Sequence, residues 1–159
     1  MSCFVRISLL TPFAKVPTVL TQTAEYALRA MVFLGDRSTP ATTTVIAEAT
    51  LVPENYLAKV MQVLTRAGLV SSQRGPNGGF SLARPAAEVT VLEVVNRVDP
   101  LQRFSECPLG LHGIHLCPLH RKLDDAARAV EETFGDTTIA DLINVPRQRK
   151  PLCRFPLSS

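Results

Sequence analysis

With 159 residues, of which 46% are hydrophobic and 19% charged, the chain is long enough for one domain with a real core, and wholesale disorder is excluded. The formal net charge is only +3, so any basic surface must be sought locally. No apolar run reaches the ~18 residues of a membrane-spanning helix, and four scattered cysteines do not form the framework of a secreted mini-protein, so we expect a cytoplasmic protein without a membrane anchor.

Residues 1–19 do not share the periodic pattern of the following chain. Pro12 and Pro17 break their apolar pieces, which argues against a signal-peptide core. We interpret this segment as a disordered leader or as the product of a start codon assigned too far upstream. Helical spacing begins directly afterwards and predicts a first helix over about residues 21–34, with an apolar stripe of Ala27, Ala30, Met31 and Leu34.

Two short helices joined by a tight turn are predicted next. A loop rich in Ser, Thr and Pro precedes a helix through Val45, Ile46 and Ala49. Pro53 suits the first position of a second helix, which Gly68 ends. The buried stripe of this second helix is Leu57, Val60, Met61 and Leu64. The pattern is that of a helix-turn-helix, whose second helix enters the major groove of DNA.

The stretch LVSSQRGPNGGFSLAR predicts a β-hairpin. Leu69 and Val70 begin one strand, RGPNGG is turn chemistry, and Phe80 and Leu82 alternate in the returning strand. The glycine-rich tip lacks the lysine and the following helix of a nucleotide phosphate loop. A hairpin directly after a helix-turn-helix is a wing, and Arg74 at its tip would reach a minor groove.

The charge is distributed as DNA binding requires. Residues 55–84 contain no Asp or Glu, and their basic residues are Lys59, Arg66, Arg74 and Arg84. Each carboxylate near DNA would oppose the gain from counterion release, so an acid-free segment favours phosphate binding.

The predicted DNA contacts lie at the start of each motif helix and on the wing. Asn55 suits an adenine edge, whereas Tyr56 and Lys59 suit phosphates. Glu54 must either accept from a cytosine amine or avoid DNA. The full set of predicted contacts is Thr43, Thr44, Asn55, Tyr56, Lys59, Arg74, Gly75, Asn77 and Gly78.

A short helix over residues 91–98 is predicted after the wing. Thr90 and Glu93 form a capping box at its start, and Val89 with Val94 forms a hydrophobic staple.

A long helix is predicted over residues 118–134 and is stopped by Gly135. It has an acidic outer side and an apolar stripe of Leu119, Leu123, Ala126, Val130 and Phe134. The stripe favours pairing with a second copy, because two-fold symmetric dimers read palindromic DNA sites. TIADLI adds a short final helix, and the basic tail over residues 146–159 is expected to be disordered.

The stretch CPLGLHGIHLCPLH, residues 107–120, holds two of the four cysteines and all three histidines. In a reducing compartment, clustered cysteines bind metal or respond to oxidants. Two thiolates and two imidazoles also suit zinc, although the gap between the cysteines is wider than in a zinc knuckle. The remaining alternative is a loop without metal, in which His120 caps or packs at the long helix. Cys3 and Cys153 lie outside the pattern and are interpreted as incidental.

Several stretches together resemble the Rrf2 family of bacterial winged-helix regulators: LTQTAEYALRAMVFL, IAEATLVPENYLAKVMQVLTRAGLVSSQRGPNGGFSLARP, VTVLEVVNRV, CPLHRKLDDA and TIADL. The resemblance covers about residues 20–143, and the wing, residues 68–84, is its most specific part. It implies a homodimeric DNA-binding repressor or activator, often with an iron–sulfur cluster in the loop before the long dimer helix. Some members have no cluster and respond to a bound protein or metabolite.

The resemblance also implies a ligand set. Cluster-binding members usually present three cysteines in this loop, the last in a CxxH pattern; here the outer two and the histidine are present and the middle cysteine is absent. Some relatives take an acidic ligand from the first helix of the partner subunit, a position that Glu25 matches. The implied metal ligands are Cys107, Cys117, Glu25, His112, His115 and His120. Replacing thiolate by imidazole or carboxylate favours a labile cluster, which suits a sensor.

Together these observations predict a mainly α protein with a small β-hairpin. A winged helix-turn-helix over residues 20–99 is followed by a Cys/His sensor loop over residues 100–117, then by a dimerisation helix and a short final helix over residues 118–145. The expected function is a homodimeric transcriptional repressor that binds a palindromic operator in double-stranded DNA and senses redox state, nitric oxide or iron–sulfur status through a labile iron–sulfur cluster. The alternative is a cluster-free winged-helix regulator or adaptor controlled by a bound protein or metabolite. An enzyme is not expected, because the Cys/His loop lacks a paired carboxylate or activated nucleophile.

Overall fold

The computed structural model describes residues 20–76, 78–108 and 115–144. The helices and strands, in chain order, are α1 (Gln22–Gly35), α2 (Thr43–Thr50), α3 (Glu54–Arg66), β1 (Val70–Gln73), β2 (Gly79–Leu82), α4 (Val91–Val98), α5 (Pro118–Gly135) and α6 (Ile139–Ile143). This is the predicted architecture, mainly helical with one antiparallel hairpin. The predicted leader and basic tail, together with Cys3 and Cys153, lie outside the described residues.

The helix-turn-helix consists of α2 and α3. Thr42 caps α2, with its side-chain oxygen accepting from the amide of Val45, and Leu51 closes the helix in the left-handed conformation at φ 55°. Pro53, predicted to be the first residue of the second helix, is instead its N-cap: its ψ of 128° is extended, and α3 begins at Glu54. A proline suits either position, because it has no backbone N–H that a helix start would leave unsatisfied.

One hydrophobic core joins α1, the helix-turn-helix, α4 and α6. The predicted stripes of α1 and α3 face this core, where Met31, Leu57, Met61 and Leu64 are fully buried. Ile139 of α6 is fully buried in the same core. The final helix therefore packs with the winged domain, although it follows the long helix in sequence.

Two backbone hydrogen bonds fasten the start of α6 to the start of α4. The amide of Val91 donates to the carbonyl of Thr137, and the amide of Ile139 donates to the carbonyl of Val89, each at 2.8 Å. Val89 and Val94, the predicted staple, are both fully buried at this junction.

Half of the capping box predicted for α4 is present. The Thr90 side chain accepts from the amide of Glu93 at 3.1 Å. The Glu93 carboxylate does not return the bond but pairs with Arg84 at 2.6 Å, because the end of the wing brings that guanidinium within reach. A complete capping box lies at α6 instead, between Thr138 and Asp141.

The wing is the antiparallel pair β1 and β2, extended by a third segment. Ala41, just before α2, exchanges two backbone hydrogen bonds with Phe80, at 2.9 and 2.8 Å. Gly79 permits this approach: its φ is +150°, and a Cβ there would lie 2.6 Å from the Ala41 backbone. The wing and the segment that leads into α2 are thereby fixed to one another.

The predicted long helix is α5, and none of its residues is buried. Phe134 anchors its C-terminal end by packing against Val91 and Val95 of α4. Towards the other end, Leu119 and Leu123 are 63% and 46% exposed. Of the helices in the described ranges, none is both long and apolar enough to cross a membrane.

Candidate functional site

The exposed side of α3, near its N-terminus, carries three of the residues predicted to contact DNA. Asn55, Tyr56 and Lys59 are exposed and line one wall of a cleft of about 370 Å³, which Gln22 and Tyr26 of α1 line on the other side. Among the described residues, those lining the cleft include no carboxylate, so its charge is that of Lys59. A cationic, acid-free cleft is the surface that a phosphate backbone requires.

Tyr56 is held in place rather than free in solvent. Its hydroxyl is hydrogen-bonded to that of Thr23, and its ring meets the Tyr26 ring edge-on with the centroids 5.5 Å apart. Gln22 in turn donates to the Tyr26 hydroxyl at 2.7 Å. Tyr56 therefore joins α3 to α1. The sequence did not reveal this role, because Thr23 lies 33 positions from Tyr56.

Glu54 is engaged within the protein. The Thr44 hydroxyl donates to its carboxylate at 2.7 Å, which ties the start of α3 to the first turn of α2. The same bond uses the Thr44 proton, so Thr44 contacts a phosphate as a donor only if it releases Glu54. Thr43, the other threonine predicted to contact DNA, is half-buried.

The wing tip presents Arg74 and Gly75 to solvent. Gly75 has a φ of +115°, and its carbonyl accepts from the amide of Gly78 at 2.9 Å, which closes the turn. A Cβ at Gly78 would collide with the carbonyl oxygen of Gln73, so the turn admits only glycine there. Asn77, also predicted to contact DNA, lies outside the described residues.

Cys107, Cys117 and His120 converge at the start of α5. The Sγ atom of Cys107 lies 3.6 Å from Nδ1 of His120, and the Sγ atom of Cys117 lies 3.0 Å from the same nitrogen. Cys107 is buried, and the other two are half-buried. Thiolate and imidazole bind soft and borderline metals, so the chemistry of the donor set fits an iron–sulfur cluster as well as a zinc ion.

Cys117 is the N-cap of α5, and Pro118 takes the first helical position. The pKa of the Cys117 thiol is lowered to about 7, chiefly because the backbone N–H of His120 stabilises the thiolate; partial burial opposes the shift, and hydrogen bonds with the His120 ring and the Cys107 thiol add to it. A thiol that loses its proton near neutral pH is prepared to bind a metal.

The segment that precedes the first cysteine of the group is fastened along α5. Arg103 makes a two-point ion pair with Asp124, at 2.7 and 2.8 Å, and also contacts Glu131 at 2.6 Å. The Asp124 carboxylate accepts from the amide of Phe104 at 3.0 Å, and the Phe104 ring packs against that of His120 with centroids 5.2 Å apart. The Arg103 hydrogen bond is the main reason why the pKa of Asp124 is lowered to about 2. We call Arg103, Asp124 and Glu131 the Arg103 latch.

The Arg103 latch was not predicted from the sequence. One signal was available: Asp124 and Glu131 lie two helical turns apart, so both carboxylates face the same side of α5. Nothing in the sequence indicated that the preceding loop would bring a guanidinium to that side.

Of the other implied ligands that the structure describes, neither Glu25 nor His115 joins the group within one chain. Glu25 lies on α1, where its carboxylate pairs with Arg29 at 2.5 Å, and Arg29 also donates to the carbonyl of Thr50 at 3.2 Å. His115 is exposed and is not part of the cluster of donors, and His112 lies outside the described residues. Ligation by the Glu25 of a partner subunit stays a prediction.

The family model described as Rrf2, Iron-dependent Transcriptional regulator, matches residues 20–145. The chain belongs to the Rrf2 family. A relative from Aquifex aeolicus (strain VF5), named as an HTH-type transcriptional regulator, is 32% identical over an alignment of 146 residues, and the match covers 88% of this chain and 99% of that relative. The Rrf2-family chain is therefore a transcriptional regulator with a winged helix-turn-helix, and its relatives are regulators rather than enzymes.

Two solved structures show the same Rrf2-type fold. CymR (YrzC), named as the global cysteine regulator of B. subtilis, is 26% identical, with a TM-score of 0.67, and the match covers 79% of this chain and 95% of that one. IscR of T. potens is 25% identical, with a TM-score of 0.67, and the match covers 80% of this chain and 87% of that one.

Proposed function

We propose that this Rrf2-family regulator is a cytoplasmic homodimer that represses transcription by binding a palindromic operator. The observation that carries the proposal is the combination, in one chain, of two features. The acid-free segment of residues 55–84 presents a reading surface of exposed residues on α3 and the wing, and α5 presents an exposed apolar stripe. A reading surface binds one half-site, and a two-fold pairing of the long helices presents a second one to the neighbouring turn of the duplex.

The reading surface would divide its contacts between bases and phosphates. In the proposal, α3 enters the major groove by its N-terminal end, with Asn55 at a base edge and Lys59 at a phosphate. The wing brings Arg74 to the adjacent minor groove. The Tyr56 bond to Thr23 supports this arrangement, because it links α3 to α1 in the absence of DNA.

The dimer would form along α5. Leu119 and Leu123 are the most exposed large apolar side chains of that helix, and they fall on one stripe with Ala126 and Val130. Contiguous exposed apolar surface on a regulator marks an interaction site, and a second copy offers the self-complementary surface that a two-fold interface needs.

The metal group would be the sensor. In the proposal, Cys107, Cys117 and His120, with Glu25 of the partner subunit, hold a soft metal centre whose presence sets the affinity for DNA. An iron–sulfur cluster, when bound, supplies reactivity towards oxidants and nitric oxide. The position of Cys117 supports this role, because the N-cap of α5 is where a change at the metal acts on the dimer helix.

The decisive test is the salt dependence of operator binding. Operators selected from a pool of random duplexes would be titrated with the full chain by fluorescence anisotropy at several salt concentrations. We expect affinity to fall steeply with salt, and Lys59→Ala to reduce the logarithmic slope by about 1. Lys122→Ala, a matched change on the exposed side of α5, should leave the slope unchanged. Failure to select any operator, or a flat salt response, would refute the proposal.

The same titration, performed with and without metal, tests the sensor. We expect the operator affinity to differ between the two forms. Equal affinities would favour the alternative, a regulator controlled by a bound protein or metabolite.

A further inference from the structure

The donor atoms of Cys107, Cys117 and His120 all lie within 4.8 Å of one another. In a tetrahedral site with metal–sulfur bonds of about 2.3 Å and metal–nitrogen bonds of about 2.0 Å, a sulfur and a nitrogen ligand stand about 3.5 Å apart. The separation of Cys107 Sγ from His120 Nδ1, 3.6 Å, fits this value. The corresponding 3.0 Å for Cys117 requires an opening of about 0.5 Å, which a side-chain rotation supplies.

An iron–sulfur cluster requires a wider arrangement of protein ligands. Each iron of a two-iron cluster has two of its four positions filled by sulfide, and each iron of a four-iron cluster has three filled. Three protein ligands must then attach to at least two different irons. Three donors gathered around one point match a single ion instead.

We propose that Cys107, Cys117 and His120 hold one tetrahedral divalent ion of the Zn²⁺ or Fe²⁺ kind, and that the fourth position is open to an exchangeable ligand rather than filled permanently by Glu25 of the partner subunit. The inference rests on the proposed function in one respect, since it names the occupant of the same sensor site. The described residues contribute three donors, and a site with three protein ligands keeps a position for water or an incoming molecule. The signal then acts by occupying that position or by removing the ion.

The Arg103 latch is the positioning device of this site. Asp124, held by Arg103, accepts from the amide of Phe104, and the Phe104 ring in turn packs on the imidazole of His120. The orientation of one ligand is therefore set by residues that do not touch the ion. Changes to such supporting residues typically lower metal affinity by about 10–100-fold.

The test uses the full chain, purified without air and freed of metal by a chelator in the presence of a reductant. Co²⁺ is the probe, because a tetrahedral cobalt site with thiolate ligands has intense visible bands. We expect one Co²⁺ per chain, displacement by Zn²⁺, and no acid-labile sulfide in the protein as isolated. Cys117→Ser, in which serine still caps α5, and His120→Ala should both lose the tetrahedral bands. His115→Ala is the control and should retain them, because that side chain is exposed and outside the group.

The positioning role of the Arg103 latch is tested by the affinity for Co²⁺. Arg103→Ala should keep the band positions but bind Co²⁺ about 10–100-fold more weakly, whereas Arg128→Ala, which changes an exposed arginine of α5, should bind as the parent does. Circular dichroism of each variant establishes that α5 is retained.

Two or four irons per chain with matching sulfide would overturn the inference, as would tetrahedral bands that survive His120→Ala. Operator binding is measured on the same samples to separate the two proposals. Salt-dependent DNA binding by a protein with several irons per chain overturns only the single-ion inference. A chain that binds one Co²⁺ but no operator overturns only the proposed function.

Discussion

Replacing Leu119 and Leu123 together by Ala tests the proposed dimer. These side chains are 63% and 46% exposed in the single chain, so they would lose that exposure on pairing. Leu→Ala removes three carbon groups, worth about 2.4 kcal/mol when fully transferred from water at about 0.8 kcal/mol each. Scaled by the exposed fractions, the loss is about 1.5 kcal/mol at Leu119 and about 1.1 kcal/mol at Leu123.

Over the four side chains of a dimer, the loss is about 5 kcal/mol, which raises the dissociation constant between about 10³-fold and 10⁴-fold. The value is an upper estimate, because it assumes complete burial at the interface. The free energy of unfolding of the single chain should barely change, since neither side chain is in its core.

Sedimentation equilibrium over a wide range of protein concentration measures the dissociation constant. Lys122→Ala, on a side chain 82% exposed that lies off the apolar stripe, is the control and should dimerise as the parent does. If the double leucine variant dimerises as tightly as the parent, the pairing of chains along α5 is wrong.

Three other changes test the fold and the loop. Ile139→Ala should lower the free energy of unfolding by about 2–5 kcal/mol, measured by urea denaturation, because it leaves a cavity in the core; a loss as small as that of a surface change would contradict the packing of α6. Gly79→Ala should cost about 1–3 kcal/mol of stability and weaken operator binding, because its φ of +150° suits only glycine and a Cβ would press on Ala41; an unchanged melting temperature would count against it. Asp124, with its pKa lowered from 3.8 to about 2, stabilises the folded state above about pH 4 and loses that contribution as the pH falls to about 2. The difference in melting temperature between the parent and Asp124→Asn should therefore vanish over that interval, and a constant difference would exclude the ion pair as its cause.

Local periodicity and turn chemistry made most of the fold predictable. The apolar stripes of α1, α3 and α5 each repeat at helical spacing within one short segment. The glycines of the wing tip predict a turn regardless of what the hairpin packs against. The start of α3 was wrong by one residue, because Pro53 is compatible with the N-cap and with the first helical position alike.

Contacts between distant segments could not be predicted. Ala41 lies in a segment whose sequence is typical of a loop, yet its backbone pairs with that of Phe80 as a residue of an edge strand would. Arg103 likewise stands in a segment with no regular pattern, and only the path of the loop brings it to Asp124. Such pairings depend on the tertiary packing rather than on residue spacing.

The candidate metal site was predictable only in the part that depends on residues close in sequence. The two cysteines and His120 are close in sequence, and the three-residue spacing of Cys117 and His120 at the start of α5 brings those two side chains together. Ligation by Glu25, in contrast, depends on a second chain, and no spacing within one sequence can test it.

The bonds between Val91 and Thr137 and between Ile139 and Val89 make α5 a lever with one fixed end. Its 18 residues span about 27 Å at 1.5 Å per residue. A tilt of about 5° at the fixed end therefore moves the tip at Cys117 by about 2 Å, which is comparable to the length of a single metal–ligand bond. In the proposed dimer, a displacement at Cys117 would therefore change the relative orientation of the two winged domains through the rigidity of one helix, without any refolding.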